Sequence, residues 1–402
     1  MRHAARFRRH FLVLSGVSLL GAALFAGCTK PANASATANA TGRDYLVYVG
    51  TNVASEQDNT IYLYRLSPAT GVLTRVSAFH GGSTPSYLTL DAARRHLYAV
   101  SETGTFRGAK GGGVSAFAID RATGNLTMLN QQPSNGASPC YISLDRTGKA
   151  ALVANYMGGN VSLLPLTADG QLVAPTATGQ HEGKGPHQNQ EAPHAHCIIP
   201  DPNNTFAFAV DLGTDKVYGY RLDPAKGQLT PLPEPAFVTK PGAGPRHLTF
   251  HPNGRRAFLI NELNSTVTSL AYDAKAGRFT ELQTVSALPA GYTEANSCAD
   301  IHVSADGRFL YASNRGHNSI AVFAIDNANG KLSLLQHTNT QGKTPRNFTF
   351  DPSGRLLLVA NQNSNNVVTY RVDLKTGLLT PTGQSVEIPT PMVLHVVDDF
   401  TR

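Results

Sequence analysis

A unit of about fifty residues recurs along this chain, and nothing else in the sequence limits the possible folds as tightly. Its clearest copy runs Gly244-Pro245-Arg246-His247-Leu248-Thr249-Phe250-His251-Pro252-Asn253-Gly254 and continues to Asn261-Glu262-Leu263. Two apolar, β-branched stretches flank a Pro-Asn-Gly turn, the pattern of a β-hairpin. The corresponding turn residues Asp145, Asp201, His251, Ser304 and Asp351 each follow an anchor position by six residues. The anchors are Pro85, Pro139, Ala195, Pro245, Cys298, Pro345 and Pro391, and the six intervals between them average 51 residues. A second hairpin signature follows each complete copy, as in Val114–Gly124, Val267–Gly277 and Val367–Gly377.

Each repeat therefore supplies four strands. This predicts an all-β fold, a seven-bladed β-propeller of four-stranded antiparallel blades. The last anchor is followed by one strand, Val393–Val397, whereas Tyr45–Gly50 and the hairpin at Ile61–Gly71 lack a preceding anchor. The two incomplete ends are expected to pair and close the ring, leaving no free sheet edge.

Alignment on the anchors sorts residues by duty. Three places after the anchor stand Leu88, Ile142, Ile198, Leu248, Ile301, Phe348 and Leu394, an apolar column expected in the core. One place after it stand Ser86, Cys140, His196, Arg246, Ala299, Arg346 and Met392, and seventeen places after it Glu102, Tyr156, Leu212, Glu262, Arg315 and Gln362. Packing does not dictate these two columns. A hairpin brings both to the same end of its blade, so they are expected to meet at one mouth of the central channel, where scaffold demands relax. Sixteen places after the anchor, Asn155, Asp211, Asn261, Asn314 and Asn361 recur, which suggests a hydrogen-bonding duty at the strand end. Residues 177–195 break the rhythm with a polar insert rich in Gly and His, expected to fold over the mouth.

The N-terminus reads as an address. Arg2, Arg6, Arg8 and Arg9 precede an apolar run, Phe11–Phe25, too short to span a membrane as a helix. It ends Leu24-Phe25-Ala26-Gly27-Cys28, a sequence like a bacterial lipobox with Phe25 in place of the usual Leu. Expected boundaries are a lipoprotein signal peptide at 1–27, a flexible tether at 28–42 and the propeller at 43–402. Lipidation of Cys28 would anchor the chain to a membrane facing the periplasm, with the outer membrane as the expected destination.

Loss of the four leader arginines lowers the formal net charge from +7 to +3, so the basic balance gives no case for nucleic acid. Cys140, Cys197 and Cys298 lack metal-site spacing and are expected to be buried free thiols.

The chain resembles the lactonase family of seven-bladed propellers, the 6-phosphogluconolactonase type related to carboxy-muconate cycloisomerase. The residues that carry the resemblance are Pro193-His194-Ala195-His196, Gly244-Pro245-Arg246-His247, Asn261-Glu262-Leu263, Ala299-Asp300-Ile301-His302, Ser313-Asn314-Arg315-Gly316-His317-Asn318 and Thr344-Pro345-Arg346. They fall in order through residues 43–397. The resemblance implies formation or hydrolysis of a lactone ester without metal or cofactor. It also implies a catalytic group made of Arg246, Glu262, Arg315 and one histidine of the pair His194/His196.

The residues themselves suit that chemistry. Opening a lactone needs a base for water and donors for the developing oxyanion. Glu262 shares a blade with Arg246 and is the candidate base. His196, in the same column as Arg246, is the nearer histidine. Arg246, Arg315 and Arg346 suit an anionic substrate group. His194, Arg346, His247 and His302 are the candidate substrate contacts, although Asp300 and His302 also read as blade support. Plainer readings stand beside these: a Glu262–Arg246 staple, rim charges on blade-end carbonyls, or an incomplete metal pair at His194/His196. A monomer acting on a small lactone, with no cofactor, is the expected form. The alternatives are a non-catalytic binding or scaffolding propeller and a lactone-forming cycloisomerase.

Overall fold

The computed structural model describes residues 43–55 and 57–401. The expected signal peptide, tether and lipidation of Cys28 lie outside the described residues.

Seven antiparallel sheets form the ring. Within the fourth blade, inner to outer, the strands are Pro245–Phe250, Arg256–Asn261, Thr266–Asp273 and Arg278–Ser286. The seventh blade joins the chain ends: Pro391–Asp398 pairs with Tyr45–Thr51, with Tyr45 opposite Asp398 and Val49 opposite Leu394. Ile61–Leu66 and Leu73–Phe79 complete it. A two-stranded hairpin, Thr105–Phe106 with Ala109–Lys110, projects from the first blade. Its central pair, Arg107 and Gly108, has φ +50° and +80°, as the tightest hairpin turns require.

The turns explain themselves chemically. Asp145, Asp201 and Asp351 each accept the backbone N–H five residues on, from Ala150, Phe206 and Leu356, at 2.6–2.9 Å. Tyrosines then tie each of three blades to the next: Tyr48, Tyr98 and Tyr311 donate to the carbonyls of Gly124, Gly170 and Gly377. The apolar column three places after the anchor is no more than 3% exposed in any blade. Each of these large side chains contributes about 1.5–3 kcal/mol through burial.

Two backbone features aim the neighbouring column at the channel. The residue before the anchor is left-handed in five blades: Thr84 (φ +51°), Ser138 (+53°), Gly244 (+61°), Thr344 (+62°) and Thr390 (+34°). Non-glycine residues adopt this region at a cost, so the twist is imposed by the surrounding fold. Pairing then slips just after the anchor, between Pro139 and Tyr141, Ala195 and Cys197, Pro245 and His247, Cys298 and Ile301, and Pro345 and Asn347. Such bulges re-aim a side chain out of the sheet.

The strand-end duty of the recurring asparagines is present. Asn155, Asn314 and Asn361 donate to the carbonyls of Ser134, Ala287 and Thr340. Asp211 accepts from the N–H groups of His194 and Thr214.

Candidate active site

Glu262 and Tyr156 of the second variable column meet Arg246 and His196 of the first, and Arg315 meets Glu262. Ser86, Cys140, His196, Arg246, Arg346 and Met392 line a common narrow pocket there. A much larger cavity, about 990 Å³, lies among the hairpin turns at the opposite end of the blades. Its chemistry is structural: His96 is paired with Asp91 at 3.0 Å, and Asp145 caps its own turn.

Glu262 is the hub of the mouth. Its Oε2 meets Arg246 Nε at 3.0 Å and Arg315 Nη2 at 2.8 Å. Burial would raise its carboxyl, but the charges of Arg315 and then Arg246 hold it below the usual range, so it is ionised at neutral pH. Arg315 is fixed by the carbonyls of Cys298 and Ser297, and its blade follows that of Glu262. Arg246 is fully buried and donates from Nη1 to the Ala299 carbonyl at 2.6 Å. Burial, with Arg315 and Arg346 close by, pushes its pKa down to about 10, still a full cation at pH 7.

Behind Arg246 runs a chain of hydrogen bonds. Arg246 Nη1 donates to His247 Nε2 at 3.2 Å, and His247 Nδ1 donates to Asp300 at 2.9 Å. That direction follows from chemistry, since a carboxylate only accepts. Asp300 also receives His302 Nε2 at 3.0 Å and Asn347 Nδ2 at 2.6 Å, and Asn347 in turn receives the Leu394 N–H. This one carboxylate joins three blades directly and a fourth through Asn347. Burial would raise Asp300, yet the charge of His302 and the hydrogen bonds from both histidines hold it well below the carboxylate range. Burial and Arg246 push His247 down to about 4, so it stays neutral, while Asp300 raises His302 against the effect of burial.

His196 is buried and its Nδ1 has no partner among the described residues. Burial foremost, then Arg246, holds its pKa well below the imidazole range. Its ring meets His247 and Tyr156 edge-on, at centroid distances of 5.2 and 5.6 Å.

The expected site residues therefore divide. Arg246, Glu262, Arg315, His196 and Arg346 come together at the mouth. His194 stacks on Tyr156 at 4.5 Å, with one ring nitrogen on the Tyr156 carbonyl and the other on Glu191. His247 likewise has both nitrogens engaged. Both ring nitrogens of each of these two histidines are thus engaged, while His247 also lines the pocket. His302, its side chain 34% exposed, commits Nε2 to Asp300 and packs edge-on against Phe348, so it belongs to the support of Arg246.

The polar insert holds itself to the third blade. His181 bonds Asp211 and Tyr220, and Gln190 bonds the Leu212 carbonyl and Asp215. Its first residues, Ala177–Gln180, form the outer strand of the second blade, and Glu191 meets His194 at its far end. Cys140, Cys197 and Cys298 are buried free thiols. Among the described residues, no group of three or more His, Cys, Asp or Glu side chains is placed to hold a metal ion.

Asp300 and Asn347 were not singled out as a unit from the sequence. A signal existed, since both stand two places after an anchor, as His247 does.

Comparisons with known proteins agree with this architecture. The family described as lactonase, 7-bladed beta-propeller, matches residues 46–396. The 6-phosphogluconolactonase of Bacillus subtilis is 39% identical over 349 residues, 87% of this chain and 97% of that protein. That of Formosa agariphila is 35% identical over 349 residues, 85% of this chain and 96% of that one. Among solved structures, the periplasmic gluconolactonase of Pseudomonas aeruginosa is 36% identical with a TM-score of 0.82, over 88% of this chain and 99% of that one. With a family match across the whole ring and relatives this similar over nearly their full length, the chain belongs to the lactonase family of seven-bladed β-propellers.

Proposed function

We propose that this protein hydrolyses the ester of a sugar-derived lactone, of the aldono- or 6-phosphoglucono type, at the channel mouth. One observation carries the reading: a single carboxylate, Glu262, is held by two guanidinium groups beside a neutral buried imidazole. The names of the relatives, 6-phosphogluconolactonase and gluconolactonase, support the substrate class.

In this mechanism the lactone carbonyl lies against Arg246 and His196. Water attacks the acyl carbon, and Glu262 takes one of its protons. Oε1 suits that role, since Oε2 is committed to the arginines. The paired arginines make Glu262 a weaker base but fix its position, and placement alone is worth several orders of magnitude. The developing oxyanion is held by Arg246 Nη2, which has no partner among the described residues, and by the N–H of His196. Protonated His196 would be repelled by the neighbouring arginines, so the neutral ring serves as the donor. Collapse breaks the ring C–O bond, and the alkoxide recovers the proton from Glu262. The hydroxy acid leaves, and its new carboxyl gives up a proton to solvent. Guanidinium and imidazole donors supply the charge stabilisation, so no step is routed through a metal or cofactor.

Arg346 lines the pocket, and its guanidinium has no partner among the described residues. It is the receptor for a substrate phosphate or carboxylate, with Arg315 beside it. Accordingly, Arg346→Met should raise KM for 6-phosphoglucono-1,5-lactone at least tenfold more than for glucono-1,5-lactone. Initial rates on the two substrates, with spontaneous opening subtracted, check this. Equal effects would remove Arg346 from anion recognition, and no wild-type rate on any aldonolactone would remove the lactonase reading. The N-terminal leader and the periplasmic relative support export, with Cys28 as the proposed lipid anchor and a monomer as the working form.

A further inference from the structure

The mouth holds a second carboxylate that the mechanism leaves unused. Glu102 stands in the first blade where Glu262 stands in the fourth. Its N–H donates to the Thr84 carbonyl at 3.0 Å, and the Ser86 N–H donates to the same carbonyl at 2.8 Å. The two residues are thereby held side by side. Glu262 is clamped by two arginines, but Glu102 Oε2 is shielded from solvent and has no hydrogen-bond partner among the described residues. Ser86, 3% exposed, lines the pocket with Arg246 and Arg346, and its Oγ is also without a partner there. Glu102 is close enough to Cys140, on the same pocket wall, for its charge to add to burial in raising that thiol.

Buried polar groups are nearly always paired, and leaving one unpaired costs about 1–3 kcal/mol. Ser86 faces the pocket and Glu102 is tied to the same backbone carbonyl beside it, so one ligand reaching from the pocket could pair both atoms. The ligand is not cationic: Arg246, Arg315 and Arg346 outweigh Glu262 at this mouth and would repel it. It must instead be neutral at that end and rich in donors. We propose that Ser86 and Glu102 form a hydroxyl-binding subsite, which grips the polyol part of the substrate while Arg246 and Glu262 act on its ester. The assignment rests on the lactonase reading and adds specificity to it: the protein would prefer hydroxylated lactones to bare ones.

The test compares glucono-1,5-lactone with δ-valerolactone, the same ring without hydroxyl groups, on the purified protein. Glu102→Gln and Ser86→Ala should each raise KM for glucono-1,5-lactone roughly tenfold, with kcat kept and δ-valerolactone kinetics within about twofold of wild type. Their melting temperatures should hold or rise, because Ser86→Ala removes an unpaired buried hydroxyl and Glu102→Gln replaces a buried charge with a neutral amide. Equal losses on both substrates, or no change on either, would overturn the subsite while leaving the lactonase activity standing. If wild type opens neither lactone, the activity reading fails separately, and calorimetric binding of D-gluconate then decides the subsite. Roughly tenfold weaker binding in Glu102→Gln would support it, and unchanged binding would overturn it.

Discussion

Arg246→Met is expected to lower kcat for lactone opening by about two to three orders of magnitude, the usual cost of losing a preorganised oxyanion donor. The side chain is fully buried and does three things at once: it pairs with Glu262, bonds the Ala299 carbonyl and rests on His247. Methionine fills much of its volume, and Glu262 keeps Arg315 as a partner, so the variant should still fold. Arg246→Lys should rescue little, because one ammonium group cannot span the Glu262 and Ala299 contacts as a planar fork does. Rates measured beside urea denaturation separate the roles. If Arg246 is only a staple, both variants would lose stability yet keep the wild-type rate per folded molecule.

Asp300→Ala should be the most destabilising single change near the site, by about 3–5 kcal/mol. It strips the partner from His247, His302 and Asn347 together, in a place water does not readily reach. The same network contributes to the pH dependence of stability. His247, with its pKa lowered to about 4, takes no proton where the unfolded chain does, so stability should rise as pH climbs from about 4 to about 6.5. Asp300, depressed further, adds a rise in the same direction below about pH 4. His302 is raised, so its contribution is complete below about pH 6.5 and is lost as pH climbs past its folded value. Urea midpoints against pH should therefore peak near neutrality. Asp300→Ala should flatten the alkaline limb, since nothing then holds the proton on His302. An unchanged limb would place its origin elsewhere.

The fold was readable because the repeat is nearly regular. Seven anchors fixed seven blades, and the half-copies at each end fixed the ring closure seen between Tyr45–Thr51 and Pro391–Asp398. The column one place after the anchor was readable for the same reason, although its cause was not: left-handed residues such as Thr84 and Thr344 leave no mark in composition. The Asp300 network escaped because its members lie 47 to 53 residues apart and meet only across neighbouring blades. His194 and His247 looked available in sequence, where nothing shows that Tyr156, Glu191, Arg246 and Asp300 occupy their nitrogens. Glu102 was visible as a carboxylate in the right column, but its isolation is a property of three-dimensional neighbours. The hairpin at Thr105–Lys110 falls between repeat signatures, so periodicity passed over it.

The most direct measurement of the central claim is the initial rate of glucono-1,5-lactone hydrolysis by the purified protein beside Glu262→Gln, with spontaneous opening subtracted. Glu262→Gln should melt lower than wild type, because buried Arg246 loses its counter-charge, so the two rates are compared per folded molecule. The account predicts a wild-type rate well above background and a loss of about a hundredfold or more in the variant, the range for removing a general base. A wild-type rate no faster than spontaneous opening, or a Glu262→Gln rate equal to wild type, would contradict it.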